Sequence, residues 1–125
     1  MSLRGPHLRY LLAVYELGQR RPAVGTTDVA RQLERSKASV TNMMEELSGM
    51  GLVDRERYGK IALTDTGATV ARELQCCVSR VMDWIPSLEL PLSAEEARDL
   101  AQSIVLNLPE ACRRQLADRA DGVQP

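Results

Sequence analysis

The sequence predicts a mainly α-helical fold with one short β-hairpin, and three observations support this. Aromatic residues are only 3% of the 125 residues and Phe is absent, so Leu, Val, Ile, Met and Ala must form the core, as is typical of helical proteins. Apolar residues recur every three or four positions along most of the chain, which is the spacing of amphipathic helices. Between residues 52 and 64 the pattern changes to alternation around a charged, Gly-containing turn, which predicts two short strands.

Three helices are predicted before the hairpin. The first covers residues 7–20 and ends before Pro22, and the second covers residues 26–35. The third covers residues 36–51, where Ser36 can cap the first turn and two glycines terminate the helix. A short turn separates the second helix from the third, as in helix-turn-helix units.

Three more helices are predicted after the hairpin. A long one covers residues 65–85. The next covers residues 94–108, and Ser93 with Glu96 can form a capping box at its start. The last follows Pro109, because proline suits the first turn of a helix.

The order of these elements predicts two domains. Residues 1–70 form a winged helix-turn-helix domain with a two-stranded wing, residues 71–120 form a helical dimerisation domain, and residues 121–125 form a flexible tail. Charge is divided similarly: residues 1–64 hold 10 Lys and Arg against 7 Asp and Glu, whereas residues 65–125 hold 6 against 10. A positive first half joined to an acidic second half is expected of a polyanion-binding domain with a separate interaction domain.

The third predicted helix begins in a way that favours DNA binding. Small or short polar side chains fill its first two turns, whereas its bulky residues lie in its second half. The second helix of a helix-turn-helix unit enters the DNA major groove, where hydroxyl and amide side chains can reach bases and backbone amides can bind phosphate. The predicted DNA-binding residues of this helix are Ser36, Lys37, Ala38, Ser39, Thr41 and Asn42.

The tip of the hairpin, "DRERYGK", is basic. A basic wing beside a recognition helix can contact the phosphate backbone or the minor groove, although Glu56 could instead neutralise an arginine in an ordinary solvated turn. The predicted DNA-binding residues of the wing are Arg57, Tyr58 and Lys60.

Other classes of function find little support in the sequence. The single histidine, His7, is expected to be exposed and has no nucleophile and carboxylate at useful spacing, and no phosphate-binding glycine loop or zinc motif is present. An enzyme, or a small-molecule substrate, is therefore not expected. No apolar run approaches the roughly 18 residues of a membrane span, and three cysteines without disulfide-like spacing suggest a reducing compartment. We expect a cytoplasmic protein.

The sequence resembles the diphtheria toxin repressor and manganese transport repressor family of dimeric, metal-activated winged-helix repressors. The segments "SKASVTNMMEELSGMGLV" and "ALTDTG" carry the resemblance, which covers the first 70 residues well and the remainder in layout only. It implies a transcriptional regulator, here expected to be a repressor, that binds a roughly palindromic operator in double-stranded DNA as a homodimer. Carried over by position, the family's DNA-facing residues coincide with those predicted above, with Gly59 added in the wing.

The family's metal site is not expected in this chain. The resemblance would imply Mn or Fe, with ligand positions that fall on Arg9, Leu12, Val78, Gln102, Val105 and Leu106. Aliphatic and guanidinium groups do not ligate divalent cations, and Gln102 would be a weak oxygen ligand. The sequence therefore predicts no metal cofactor and DNA binding without Mn²⁺ or Fe²⁺.

Two alternative functions stay open at this point. A winged-helix domain that has lost DNA binding would act as a protein-interaction module, and the modest positive charge of the first half allows this. A regulator could instead sense metal or redox state through cysteines, with Cys76 and Cys112 as candidates and Cys77 expected in the core. In either case the apolar helix faces predict a dimer, with Ile104, Val105 and Leu108 as candidate contacts.

Overall fold

The structure, a computed structural model, describes residues 3–56 and 59–120 and divides into two compact units, Met1–Ala71 and Arg72–Pro125. No helix in these ranges is long and apolar enough to cross a membrane. The mainly α-helical fold class, with its winged helix-turn-helix layout, is confirmed. The elements in chain order are α1 (Gly5–Arg20), β1 (Val24–Gly25), α2 (Thr26–Leu33), α3 (Lys37–Gly49), β2 (Val53–Arg55), β3 (Lys60–Leu63), α4 (Asp65–Trp84), a 3₁₀ turn (Ile85–Leu88), α5 (Ala94–Asn107) and α6 (Glu110–Ala120).

The core of the first unit fixes the orientation of α3. Val40, Met44 and Leu47 are spaced three or four residues apart, so they share one face of the helix, and all three are fully buried. They join Leu11 of α1 and Val29 of α2 in a single apolar cluster. Burial of each of these side chains contributes roughly 1.5–3 kcal/mol to the free energy of folding. Because this face is fixed in the core, the opposite face of α3 is exposed to solvent.

The wing belongs to a three-stranded antiparallel sheet with the order β1-β3-β2. Strands β2 and β3 form the predicted hairpin, and the backbone N–H of Glu56 donates to the Lys60 carbonyl at 2.8 Å to close it. The sequence did not predict β1, where Val24 pairs with Ile61. Two residues are too few to show strand alternation, so periodicity could not reveal this strand.

The turn between α3 and β2 is closed by backbone hydrogen bonds. The N–H of Leu52 donates to the Leu47 carbonyl at 2.9 Å, and the N–H of Gly51 donates to the Ser48 carbonyl at 3.0 Å. Gly51 has a φ of +76°, in the left-handed region that glycine adopts without a steric penalty. The predicted end of the third helix is confirmed, and this turn directs the chain into the hairpin.

The junction between β3 and α4 is held against the same turn. The Thr64 hydroxyl donates to the Gly51 carbonyl at 2.6 Å and accepts the Gly67 N–H at 3.0 Å, which caps the start of α4. Gly67 lies so close to Leu52 that an added Cβ would overlap the Leu52 carbonyl oxygen. The segment "TDTG" therefore has a structural role in attaching the start of α4 to the turn between α3 and β2.

The second unit buries one face of each of its helices. The fully or nearly fully buried residues include Leu74, Cys77 and Val78 of α4, Ala101 and Val105 of α5, and Ala117 of α6. The predicted Ser93–Glu96 capping box at the start of α5 is confirmed, with hydrogen bonds of 2.9 and 3.0 Å. The segment from the end of α4 to the start of α5 is different, because it exposes four large apolar residues: Trp84, Leu88, Leu90 and Leu92. We call these four residues the apolar strip.

Candidate nucleic-acid interface

The start of α3 presents an exposed polar surface. Ser36 is the N-cap, and its hydroxyl oxygen accepts the Ser39 N–H at 3.0 Å, as the sequence predicted. The Ser36 hydroxyl also donates to the Ser39 hydroxyl oxygen at 3.0 Å, so Ser39 keeps its own hydrogen for an outside acceptor. Ser36, Lys37, Ala38, Ser39 and Asn42 are exposed, and Thr41 is half-buried.

Several donors on this surface have no partner within the chain as described. Lys37 and Asn42 form no hydrogen bond or ion pair with any residue in the ranges 3–56 and 59–120. The backbone N–H groups of Lys37 and Ala38 lie in the first turn, where a helix provides no internal acceptor. The surface can therefore bind an external anion through backbone amides and present an amide and a hydroxyl to a base edge.

The described part of the wing carries basic and acidic side chains in equal number. Arg55 and Lys60 are exposed on β2 and β3, close to the acidic Asp54 and Glu56, and Gly59 is exposed at the turn. Arg57 and Tyr58, also predicted to bind DNA, lie outside the described residues. That the residues of α3 and the wing contact DNA stays a prediction.

Helix α2 is fixed to the end of α1 by polar contacts. Asp28 accepts the Gly25 N–H at 2.9 Å and forms an ion pair with Arg21 at 3.3 Å. Gln32 accepts from the Arg20 guanidinium at 3.1 Å and donates to Glu16 at 3.2 Å. These contacts hold α2 in position against α1, and α3 follows it through a turn in which Glu34 adopts a left-handed conformation with a φ of 54°.

The expectation that His7 is exposed is wrong, because only 9% of its surface is accessible. Helix α1 begins at Gly5, two residues earlier than predicted, so His7 is the third helical residue and can reach back to the first turn. Its Nδ1 accepts the Arg4 backbone N–H at 3.0 Å, and its Nε2 lies 3.1 Å from Oε2 of Glu46 on α3. Because Nδ1 is an acceptor, the proton of the neutral ring is on Nε2 and is donated to Glu46.

The cysteines differ in their environments. Cys77 is fully buried, as predicted, and its thiol donates to the Arg113 carbonyl at 3.1 Å. Burial, followed by repulsion from Glu73 and Cys76, raises the pKa of the Cys77 thiol to about 11, so it is protonated and unreactive at neutral pH. Cys76 is half-buried and Cys112 is exposed, and a sensing role for them stays a hypothesis.

The six positions that the resemblance assigned to metal ligands do not fit a divalent cation. Leu12, Val78, Val105 and Leu106 are buried aliphatic side chains, and no group of three or more His, Cys, Asp and Glu residues that could hold a metal occurs in the part of the chain that the structure describes.

A family model agrees with the fold of the first unit. The model of the iron dependent repressor N-terminal DNA binding domain matches residues 8–61, the range from α1 into β3. Comparison with curated proteins gives no match.

Solved structures of regulators have a similar fold. The manganese regulator SloR aligns with a TM-score of 0.72 and 20% identity, over 99% of this chain and 56% of SloR. The IdeR of T. acidophilum aligns with a TM-score of 0.72 and 21% identity, over 98% of this chain and 56% of IdeR. ScaR with bound Zn²⁺ aligns with a TM-score of 0.66 and 23% identity, over 92% of this chain and 53% of ScaR. This chain thus spans little more than half the length of these proteins, and at such identities the likeness establishes the fold.

The prediction that no metal cofactor is used is wrong in view of these comparisons. The matched family is that of iron dependent repressors, SloR is a manganese regulator, and ScaR was solved with Zn²⁺. The residues at the six positions are therefore weak evidence against a metal.

The family model and the structural likenesses agree with the residues that carried the resemblance. Residues 8–61 thus match the iron dependent repressor N-terminal DNA binding domain, in agreement with the resemblance of this segment to the diphtheria toxin repressor and manganese transport repressor family.

Proposed function

We propose that this chain is a homodimeric, metal-dependent transcriptional repressor that binds a roughly palindromic operator in double-stranded DNA. The start of α3 reads the major groove, and the β2–β3 hairpin contacts the backbone or minor groove beside it. The main supporting observation is the exposed polar surface of Ser36, Lys37, Ser39 and Asn42 at the start of α3, whose opposite face is anchored in the core.

The second unit supplies the dimer contacts in this proposal. Val105, one of the predicted contacts, is wholly buried within its own chain, and Ile104 and Leu108 are only half-buried. The apolar strip is a better candidate, because Trp84 is 53% exposed and Leu90 is 52% exposed. Large apolar side chains close together on a surface indicate an interaction site, and a second copy would bring two α3 helices to one operator.

Removing the base-reading side chains is expected to relax sequence preference. In the variant Ser39→Ala with Asn42→Ala, the Ser36 cap on the Ser39 backbone N–H is retained, so α3 should still form. Each lost base contact should reduce the free energy of binding to the operator by roughly 1–3 kcal/mol and should have little effect on binding to unrelated sequences. Competition binding measures the ratio of the affinity for the operator to the affinity for a random duplex.

A matched control is available on the same helix. Ser48 is exposed near the end of α3, and Ser48→Ala should leave the ratio unchanged. An unaltered operator preference in the double variant would show that this end of α3 does not read bases.

Placing charge in the apolar strip is expected to dissociate the dimer. Trp84→Glu with Leu90→Glu should shift the mass in solution from twice 13.9 kDa towards 13.9 kDa, because desolvating two carboxylates in an apolar interface is costly. Ser79→Glu with Gln115→Glu adds the same charge at exposed positions and should leave the mass unchanged. Sedimentation equilibrium measures the mass in solution. A dimer that stays intact in the Trp84→Glu, Leu90→Glu variant would show that the interface lies on another surface.

A further inference from the structure

A hydrogen bond between His7 and Glu46 joins the start of α1 to the second half of α3. Nε2 of His7 lies 3.1 Å from Oε2 of Glu46, which is 39 residues away in sequence. The side chain of His7 is 11% exposed, whereas that of Glu46 is 59% exposed. This contact is additional to the apolar cluster that anchors α3 in the first unit, because neither residue belongs to that cluster.

The backbone of α1 fixes the ring of His7. Arg4 is the N-cap of this helix, and its backbone N–H donates to Nδ1 of His7 at 3.0 Å. This hydrogen bond is one half of a capping box, and it leaves the proton of the neutral ring on Nε2. Glu46 therefore accepts from a donor whose position is set by the first turn of α1.

Glu46 lies on the same side of α3 as the predicted base-reading residues. Ser39, Asn42 and Glu46 follow one another at intervals of three and four residues, so they line one face of the helix. At 100° per residue, Glu46 is about 120° around the helix axis from the centre of the buried face. Apolar contacts on the buried face are non-directional, so a directional hydrogen bond at this second angle restrains the rotation of α3 about its axis.

We infer that His7 is a positioning residue for DNA recognition and that it acts through Glu46. This inference rests on the proposed function. By restraining the rotation of α3, the hydrogen bond sets the angle at which Ser39 and Asn42 meet the base edges, and hydrogen bonds to bases weaken steeply with misalignment. It also holds the Glu46 carboxylate towards α1, away from the phosphates that approach this face of the helix.

Two substitutions separate the two hydrogen bonds of the His7 ring. The side-chain amide of Gln extends about as far from the backbone as Nε2, so His7→Gln can still donate to Glu46. The amide of Asn extends about as far as Nδ1, so His7→Asn can still accept the Arg4 N–H but does not reach Glu46.

The measured quantity is the ratio of the affinity for an operator, selected from random duplexes, to the affinity for an unrelated duplex. His7→Asn should lower this ratio about fivefold or more, and His7→Gln should retain it. A merely structural role of His7 would lower the fraction of folded protein and weaken binding to both duplexes equally. The ratio therefore reports the orientation of α3 rather than the stability of the domain.

The partner residue has a matched control beside it. Glu46→Ala should lower the ratio as much as His7→Asn does, and the two changes together should lower it no further, because both remove the same contact. Glu45 is exposed at the neighbouring position, and Glu45→Ala removes the same charge and should leave the ratio unchanged.

The outcomes separate this inference from the proposed function. If the unaltered protein prefers the operator and both His7→Asn and Glu46→Ala keep that preference, the positioning role is overturned and the proposed function stands. Equal losses in His7→Asn and His7→Gln would also overturn it, because the cap of α1 rather than the contact with Glu46 would then be responsible. An unaltered protein without operator preference would overturn the proposed function and this inference together.

Discussion

Reversing two charges, Lys37→Glu with Lys60→Glu, is expected to lower affinity for every duplex by about 100-fold or more at low salt. In a dimer this double variant removes four cationic contacts to phosphate and replaces them with repulsion. Because each phosphate contact releases about 0.9 counterion, the slope of log affinity against log salt should also become flatter by about three to four. Fluorescence anisotropy with a labelled duplex, measured across a salt series, gives both quantities.

The control variant changes the same net charge in the other unit. Arg80 and Arg119 are exposed on α4 and α6, and reversing both to Glu should reduce the salt slope much less. Equal losses in the two double variants would mean that duplex binding depends on total charge rather than on the start of α3 and the wing.

The second large effect concerns stability. Gly67→Ala is expected to lower the free energy of unfolding by about 2–4 kcal/mol, because the new Cβ would overlap the Leu52 carbonyl oxygen. Backbone atoms on both sides of the contact would have to move, and the Thr64 cap of α4 would be disturbed with them. Urea denaturation monitored by circular dichroism measures the change.

Gly18→Ala provides a matched comparison. Gly18 lies in α1 with nothing within 4 Å of an added Cβ, so alanine should be neutral or stabilising by up to about 1 kcal/mol. If Gly67→Ala were equally well tolerated, the close contact between the start of α4 and the turn after α3 would be absent in solution.

The helices, although not all of their ends, were predictable from the sequence because local rules govern them. The spacing of Val40, Met44 and Leu47 identified the buried face of α3, and Ser36 and Gly51 marked its two ends. The small polar residues at its start stood out because no core-packing role explains them. That surface was therefore predictable residue by residue, and its exposure follows from the burial of the opposite face.

Features that depend on distant residues were not predictable in the same way. Strand β1 exists only because Val24 pairs with Ile61. His7 was expected to be exposed, and its burial depends on Glu46, 39 residues away in sequence, as well as on the earlier start of α1.

The metal prediction failed for a related reason. It compared this chain with a family's ligand positions one by one and inferred that no cofactor is used. The comparisons with iron dependent repressors, SloR and ScaR contradict that inference. Position-by-position comparison shows which residues are unsuitable as ligands, but it does not show which other residues of the fold could replace them.

The central claim, that α3 and the wing recognise a specific operator, is tested most directly by selecting bound sequences from a pool of random duplexes. The selection should use the 125-residue protein with chelator and separately with Mn²⁺, Fe²⁺ and Zn²⁺. The proposal predicts enrichment, in at least one of these conditions, of a dyad-symmetric sequence whose half-sites are about one helical turn apart or a multiple of it. No enriched sequence, together with no duplex binding at low salt in any condition, would contradict the claim and leave a protein-interaction module as the function of this winged helix.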